Sequence, residues 1–209
     1  MADVIDTERR TTAHLEALRE AGVRGVIRPF SHWLNKRLAE NMLDRAEVAA
    51  LEGAGVTVAA AFKPGVDRSA ELRRAERDAR FAVDHAVGAL GLGAGATLFA
   101  LLDFDIRRPT GRERVIRYME AFRMRRDALP GAAGLRLGAR GCAATLDALG
   151  EAGLVEETWL DPRLAGAMGR DGETAARWGL LRGAPGAIGG LPVSENAVGP
   201  SGALGLAPS

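Results

Sequence analysis

Short unbroken apolar runs alternate along the chain with stretches where apolar residues recur every three or four positions. Runs of the first kind read as strands buried on both faces, and the second pattern reads as amphipathic helix. Val4-Ile5 is a short first strand, and Thr12 to Ala21 a helix stopped by Gly22. Gly25-Val26-Ile27-Arg28 is the second strand. Asp44-Arg45-Ala46-Glu47 has the form of a capping box opening a helix through Leu51, closed by Gly53. Val56 to Phe62 is an apolar, β-branched third strand ended by Lys63-Pro64-Gly65. A long amphipathic helix follows over Ser69 to Leu90, with Leu72, Ala75, Ala79, Val83, Ala86 and Leu90 on one face.

Ala96 to Leu102 is the fourth strand, and it runs into Asp103-Phe104-Asp105. Thr110 and Glu113 form a second capping box for a helix to about Leu129, broken by Pro130-Gly131. Leu135 to Arg140 is a fifth strand and Ala143 to Gly150 a short helix. Glu157 to Leu160, Ala176 to Arg182 and Leu191-Pro192-Val193 supply a sixth, a seventh and a weak eighth strand. The Gly-, Pro-, Ser- and Ala-rich tail from Gly199 is expected to pack loosely. Strands alternating with helices predict the α/β class, as either a (β/α)8 barrel or a doubly wound open sheet. Periodicity alone does not choose between them. A barrel in 209 residues is compact, with its later helices shortened. No repeat or linker interrupts residues 1–209, which predicts a single domain.

Composition narrows the function. With 28 basic and 27 acidic residues the net charge is +1, which argues against nucleic acid as the main partner. No run of 18 apolar residues predicts a membrane span. The first residues, Met1 to Asp6, lack the basic and apolar regions of a secretory signal. One cysteine, Cys142, forbids an internal disulfide. Cytoplasmic residence is therefore expected, unless export takes a non-standard route. His14, His32 and His85 share no ligand spacing with one another or with Cys142, so neither a metal nor a cofactor is expected.

The candidate chemistry sits at strand ends. Side chains alternate along a strand, so Asp103 and Asp105 point the same way, about 6–7 Å apart at Cα. Two acids at one strand tip bind something, share a proton or pair with a cation such as Arg28 or Arg140. Arg28, Lys63 and Arg140 all end predicted strands. They read as recognition of an anionic substrate group or as charge balance for the acids. Trp159 reads as a sugar-stacking platform or as core, and Trp33 as an exposed binding residue or as packing beneath a loop. Gly91-Leu92-Gly93-Ala94-Gly95 precedes a strand, whereas a nucleotide loop follows one, so it reads as a helix stop. Ser31 and Ser194 lack the histidine and carboxylate of a hydrolase triad, and Cys142 has no evident base. The arginine-rich helix faces are interleaved with acids and read as a solvated outer layer.

The order of motifs resembles a known family. Val4-Ile5-Asp6-Thr7 is similar to the opening strand of a glycoside-hydrolase-like barrel family that carries a domain-of-unknown-function label and is related to family-25 lysozymes. Gly25 to Arg28, Arg45 to Val56, Asp78-Ala79, Leu90 to Gly93, Leu102 to Asp105, Tyr118 to Phe122, Arg136 to Gly138, Trp159 and Trp178 follow that family's order. The resemblance spans Val4 to Asn196 and implies a TIM-type barrel with a carboxylate-rich mouth, acting on bacterial cell-wall or related glycan. It implies Asp105 as general acid, with Asp103 and Asp6 as its companion acids. Arg28, Lys63, Arg140, Trp159 and Asn196 are the expected substrate-binding residues. Four positions depart from the pattern. Pro29 and Arg140 replace tyrosines, Arg182 replaces a glutamine ending the seventh strand, and Ser194 replaces the acid before Asn196. These changes remove aromatic surface and one acid and add two cations. The alternative is therefore a non-catalytic barrel that binds a glycan or a protein partner.

Overall fold

A computed structural model describes residues 3–32, 40–64, 72–102, 109–164, 178–199 and 202–206. The elements run β1 (Val4–Asp6), a 3-10 turn (Thr12–His14) leading into α1 (Leu15–Glu20), β2 (Gly25–Phe30), α2 (Arg45–Gly53) and β3 (Thr57–Phe62). Then come α3 (Leu72–Asp84), a π-helical turn (His85–Ala89), β4 (Thr97–Leu101), α4 (Pro109–Ala128), β5 (Arg136–Gly141) and α5 (Ala143–Glu151). β6 (Glu157–Leu160), β7 (Leu180–Ile188) and β8 (Leu191–Val198) complete the order. The eight strands close in sequence order into one barrel, which settles the choice that periodicity left open.

Local sequence explains most element boundaries. The Asp44 side chain accepts the Glu47 N–H at 2.8 Å, so the expected cap starts α2. The expected Thr110–Glu113 capping box is corrected: α4 begins at Pro109, so Thr110 lies within the first turn, and proline fits the first helical position, where its missing N–H costs nothing. β6 occupies the expected four residues.

Inside the barrel, Val4, Ile27, Ala59, Ala61, Phe99, Leu101, Trp159 and Leu180 form one buried cluster. The alternating residues, among them Val26, Phe30, Val58, Ala60, Phe62, Leu98 and Leu137, pack outward against the helices. Gly138 matters to the inner set. A Cβ there would lie 2.5 Å from the Phe99 ring, and its absence lets Phe99 meet Trp159 edge-on at 5.6 Å.

Two further expectations are corrected. β1 to β7 are joined in parallel, but β8 runs antiparallel to both β7 and β1. Strands seven and eight are also longer than expected and form a hairpin. The Gly-Ala-Pro stretch of β7 and the polar Ser194-Glu195-Asn196 of β8 hide their length from a reading based on apolar runs. Gly189 and Gly190, at φ 54° and 80°, make the two-residue turn that requires positive φ at both positions. Residues 202–206 of the tail do not pack loosely. Ala203 and Leu204 are buried in the inner cluster, and Leu204 N–H donates to Glu157 Oε1 at 3.0 Å. Gly25, at the start of β2, faces Leu204 and Leu206. Residues 202–206 therefore plug the end of the barrel where β1 to β6 begin.

Candidate active site

The opposite end, where the parallel strands finish, is the mouth. Parity places its side chains. Asp6 follows Val4 on the inner face of β1, Arg140 follows Gly138 on β5, and Arg182 follows Leu180 on β7. Asp161 lies two residues beyond Trp159, and β8 brings Ser194 opposite Asp6.

These groups form a closed ionic cluster. The Arg182 guanidinium grips Asp6 with a fork, Nε to Oδ1 at 2.9 Å and Nη2 to Oδ2 at 2.6 Å. Its Nη1 donates to Asp161 Oδ2 at 3.1 Å, and Nη2 also reaches Ser194 Oγ at 3.1 Å. Asp161 takes a second fork from Arg163, at 3.0 and 2.9 Å, together with the Arg163 backbone N–H. Arg140 Nε stands 4.0 Å from Asp161. Beneath them lies Trp159, with the Arg140 and Arg182 guanidinium carbons 5.2 and 5.9 Å from its ring centroid. Trp159 Nε1 donates to Asn196 Oδ1 at 2.8 Å, and Asn196 Nδ2 donates to Asp6 Oδ1 at 3.1 Å. The tryptophan and the asparagine are thus a floor that orients Asp6.

The two acids titrate in opposite directions. Burial pushes Asp6 up to about 6, against the Asn196 hydrogen bond and the charges of Arg140 and Arg163, with Asp161 adding to the rise. Burial works the same way on Asp161, but hydrogen bonds from Arg163 and the charges of Arg140 and Arg163 outweigh it and hold Asp161 below the usual aspartate value.

The structure redistributes the residues expected at the site. Asp6, Arg140, Trp159 and Asn196 meet at the mouth, Trp159 and Asn196 as its buried floor. Lys63 follows β3 and is exposed, 3.6 Å from Glu8 Oε1. Arg28 is corrected: it lies on the outer face of β2, between the barrel and α2. There its guanidinium bonds Glu47 Oε1 at 2.9 Å and the carbonyls of Thr7 and Asn41 at 2.6 Å each. Arg28 and Glu47 are both 0% exposed, so this arginine holds strand to helix and meets no substrate. Asp103, Asp105 and Trp33 lie outside the described residues. Asp161 and Arg163 were not anticipated. The signal was present, because Asp161 continues the period-2 series of Glu157 and Trp159 one residue past the strand. Among the described residues no group of three His, Cys, Asp or Glu side chains could hold a metal ion, and no helix is long and apolar enough to cross a membrane.

Residues 16–175 match the family model described as Rv2525c-like, glycoside hydrolase-like domain. A search of curated proteins finds no match. Among solved structures, the Mycobacterium tuberculosis Tat-secreted protein Rv2525c is similar at TM-score 0.72 and 18% identity, over 95% of this chain and 96% of that one. A family 25 glycosyl hydrolase from Bacillus anthracis is similar at TM-score 0.54 and 11% identity, over 92% and 86%. The modular autolysin LytC from Streptococcus pneumoniae, solved with a synthetic peptidoglycan ligand, is similar at TM-score 0.57 and 12% identity, over 92% and 45%. At these identities the likeness is one of fold.

Proposed function

The chain belongs to the Rv2525c-like, glycoside hydrolase-like family, and from that premise we propose that it hydrolyses bacterial cell-wall or related glycan at the barrel mouth. The observation that carries this reading is the cluster of Asp6, Asp161, Arg140 and Arg182 over Trp159, at the end of the barrel where parallel-stranded barrels hold their chemistry. Glycoside hydrolysis needs two carboxyl groups about the scissile bond, one of them protonated. In this proposal Asp105 donates the proton, and Asp103 with Asp6 stabilises developing positive charge or positions water. Lys63 and Arg140 contact the substrate from the rim, and Asn196 and Trp159 support Asp6 from below. Fold relatives act as context: one is named a family 25 glycosyl hydrolase, and another holds a peptidoglycan ligand. The Tat-secreted relative favours export over the cytoplasmic residence expected from the N-terminal residues, and export places the protein where cell-wall glycan lies.

A second reading, a glycan-binding barrel without catalysis, is favoured by one observation. Asp6 is already engaged by the Arg182 fork, so it is satisfied without a substrate. Release of reducing ends from purified peptidoglycan, measured for wild type beside Asp105→Asn, separates the two. Activity that disappears in the folded variant supports the hydrolase. A folded wild type without activity across about pH 4 to 8, where carboxyl catalysts work, supports the binding barrel.

A further inference from the structure

Arg182 brings a full positive charge to the inner face of β7 at the mouth. Here a guanidinium reaches across the mouth from β7 to Asp6 on β1 and also bonds Asp161 beyond β6. We infer that Arg182 is a positioning residue that keeps Asp6 an anion at neutral pH, so that Asp6 serves the site as a fixed negative charge and never as its proton donor. The inference rests on the proposed hydrolase for its catalytic meaning but not for its electrostatic content.

Asp6 is nearly sealed from water, and a buried carboxyl favours its neutral form. Something must oppose that tendency. The groups facing Asp6 can be named element by element. β2 turns Gly25, Ile27 and Pro29 to the interior, none of them charged. β8 presents Ser194 and Asn196, of which only the Asn196 amide donates to the carboxylate. β5 supplies Arg140 at longer range, the segment after β6 supplies Arg163 and the opposing charge of Asp161, and β7 supplies Arg182. Among the described residues, only Arg182 makes two charged hydrogen bonds to Asp6, one to each oxygen. An opposite charge in such contact favours the ionised form by about 1–3 pK units. With Asp6 at about 6, that margin separates a carboxylate at pH 7 from a neutral acid.

The consequence for mechanism is an assignment of roles. A retaining or inverting glycosidase needs one neutral and one ionised carboxyl group. Arg182 commits Asp6 to the ionised role, which leaves proton donation to the acids that follow β4.

The test is a carbon-13 NMR titration of the side-chain carboxyl of Asp6, assigned with Asp6→Asn, in the full-length wild type, Arg182→Gln and Arg182→Lys. The expected midpoint rises by about one unit or more in Arg182→Gln, taking it above 7. Arg182→Lys, which keeps the charge but loses the fork, returns most of the shift. An unmoved midpoint in a folded Arg182→Gln overturns the inference. So does a lysine variant that behaves like glutamine, because the effect would then lie in packing. If the glycan assay is positive, the acid limb of its pH–rate profile moves upward with the Asp6 midpoint in Arg182→Gln, whereas a limb that stays put refutes the fixed-charge role. If no protein in the series cleaves glycan, the hydrolase reading fails while the titration still decides what Arg182 does.

Discussion

Arg28–Glu47 and Arg182–Asp6 are two of the buried arginine–carboxylate pairs in this barrel, and they do opposite jobs. Arg28 and Glu47 lie in the layer between β2 and α2, and neither has any exposed side-chain surface. The carboxylate also accepts the Thr11 N–H at 2.8 Å and hydroxyl at 2.7 Å, so the network is complete without water or ligand. Arg182 and Asp6 lie inside the barrel at its mouth, and their side chains keep 15% and 10% of their surface open. The chemistry of the two pairs is the same. One residue of strand parity separates a tie between layers from a group that can meet a substrate.

The largest expected effect comes from breaking the sealed pair. Arg28→Ala leaves Glu47 charged and buried, and should cost about 3–5 kcal/mol in urea unfolding. Replacing both partners together, as Arg28→Met with Glu47→Leu, should recover most of that loss. If the double variant is as unstable as the single one, the layer depends on the hydrogen bonds to Thr7, Thr11 and Asn41 rather than on charge.

At the mouth the same kind of truncation should cost less, because water can reach the orphaned partner. Arg182→Ala should lose about 1.5–3 kcal/mol, the range for a hydrogen bond to a charged group. A loss equal to that of Arg28→Ala would erase the distinction between the pairs.

The pH dependence should then mark the mouth pair alone. Asp6 titrates near 6 in the folded chain against 3.8 for the free group. Between those values the folded protein holds a proton that the unfolded chain has released. Stability from this group is therefore full below about pH 4 and falls as pH rises through 6. Asp161 has the opposite sign: its contribution is present above the ordinary aspartate value and is lost as pH falls through its lowered folded value. Comparing unfolding of wild type and Asp6→Asn between pH 4 and 7 should show a larger falling limb in wild type, the part that remains in Asp6→Asn coming from Glu157, whose carboxyl burial also raises.

The smallest effect belongs to an outer pair. Arg112 and Glu151 bridge α4 and α5 with half or more of each side chain in water. Arg112→Ala should change stability by no more than about 1 kcal/mol, less in high salt.

Much of the fold was legible because local signals agreed with it. The Asp44 helix cap, the apolar run of β4 and the four residues of β6 all stand where the sequence puts them, although Glu47 turns its carboxylate to Arg28 and Thr11 instead of closing a capping box. The direction in which Arg28 points was not legible. Gly25 to Phe30 is apolar on both faces, so nothing in that strand says which set faces the interior. The length of the β7–β8 hairpin escaped because glycine, alanine and proline in β7 and the polar Ser194-Glu195-Asn196 in β8 carry no hydrophobic pattern, although Gly189-Gly190 was a turn signal. Of the candidate site, Arg140 followed from a strand end and Asp6 from the family resemblance. Asp161 and Arg163 did not, because they lie just beyond a strand that was read as finished.

The plugged base of the barrel bears on how the chain is made. β1 finds one of its two neighbours, β8, only after residue 190, and the interior is sealed below by residues 202–206. During synthesis the first strand must therefore wait, with one edge unpaired, until the residues of β8 have left the ribosome. Closure joins segments far apart along the chain, a loop-closing step expected to slow folding and to prolong the exposure of that edge.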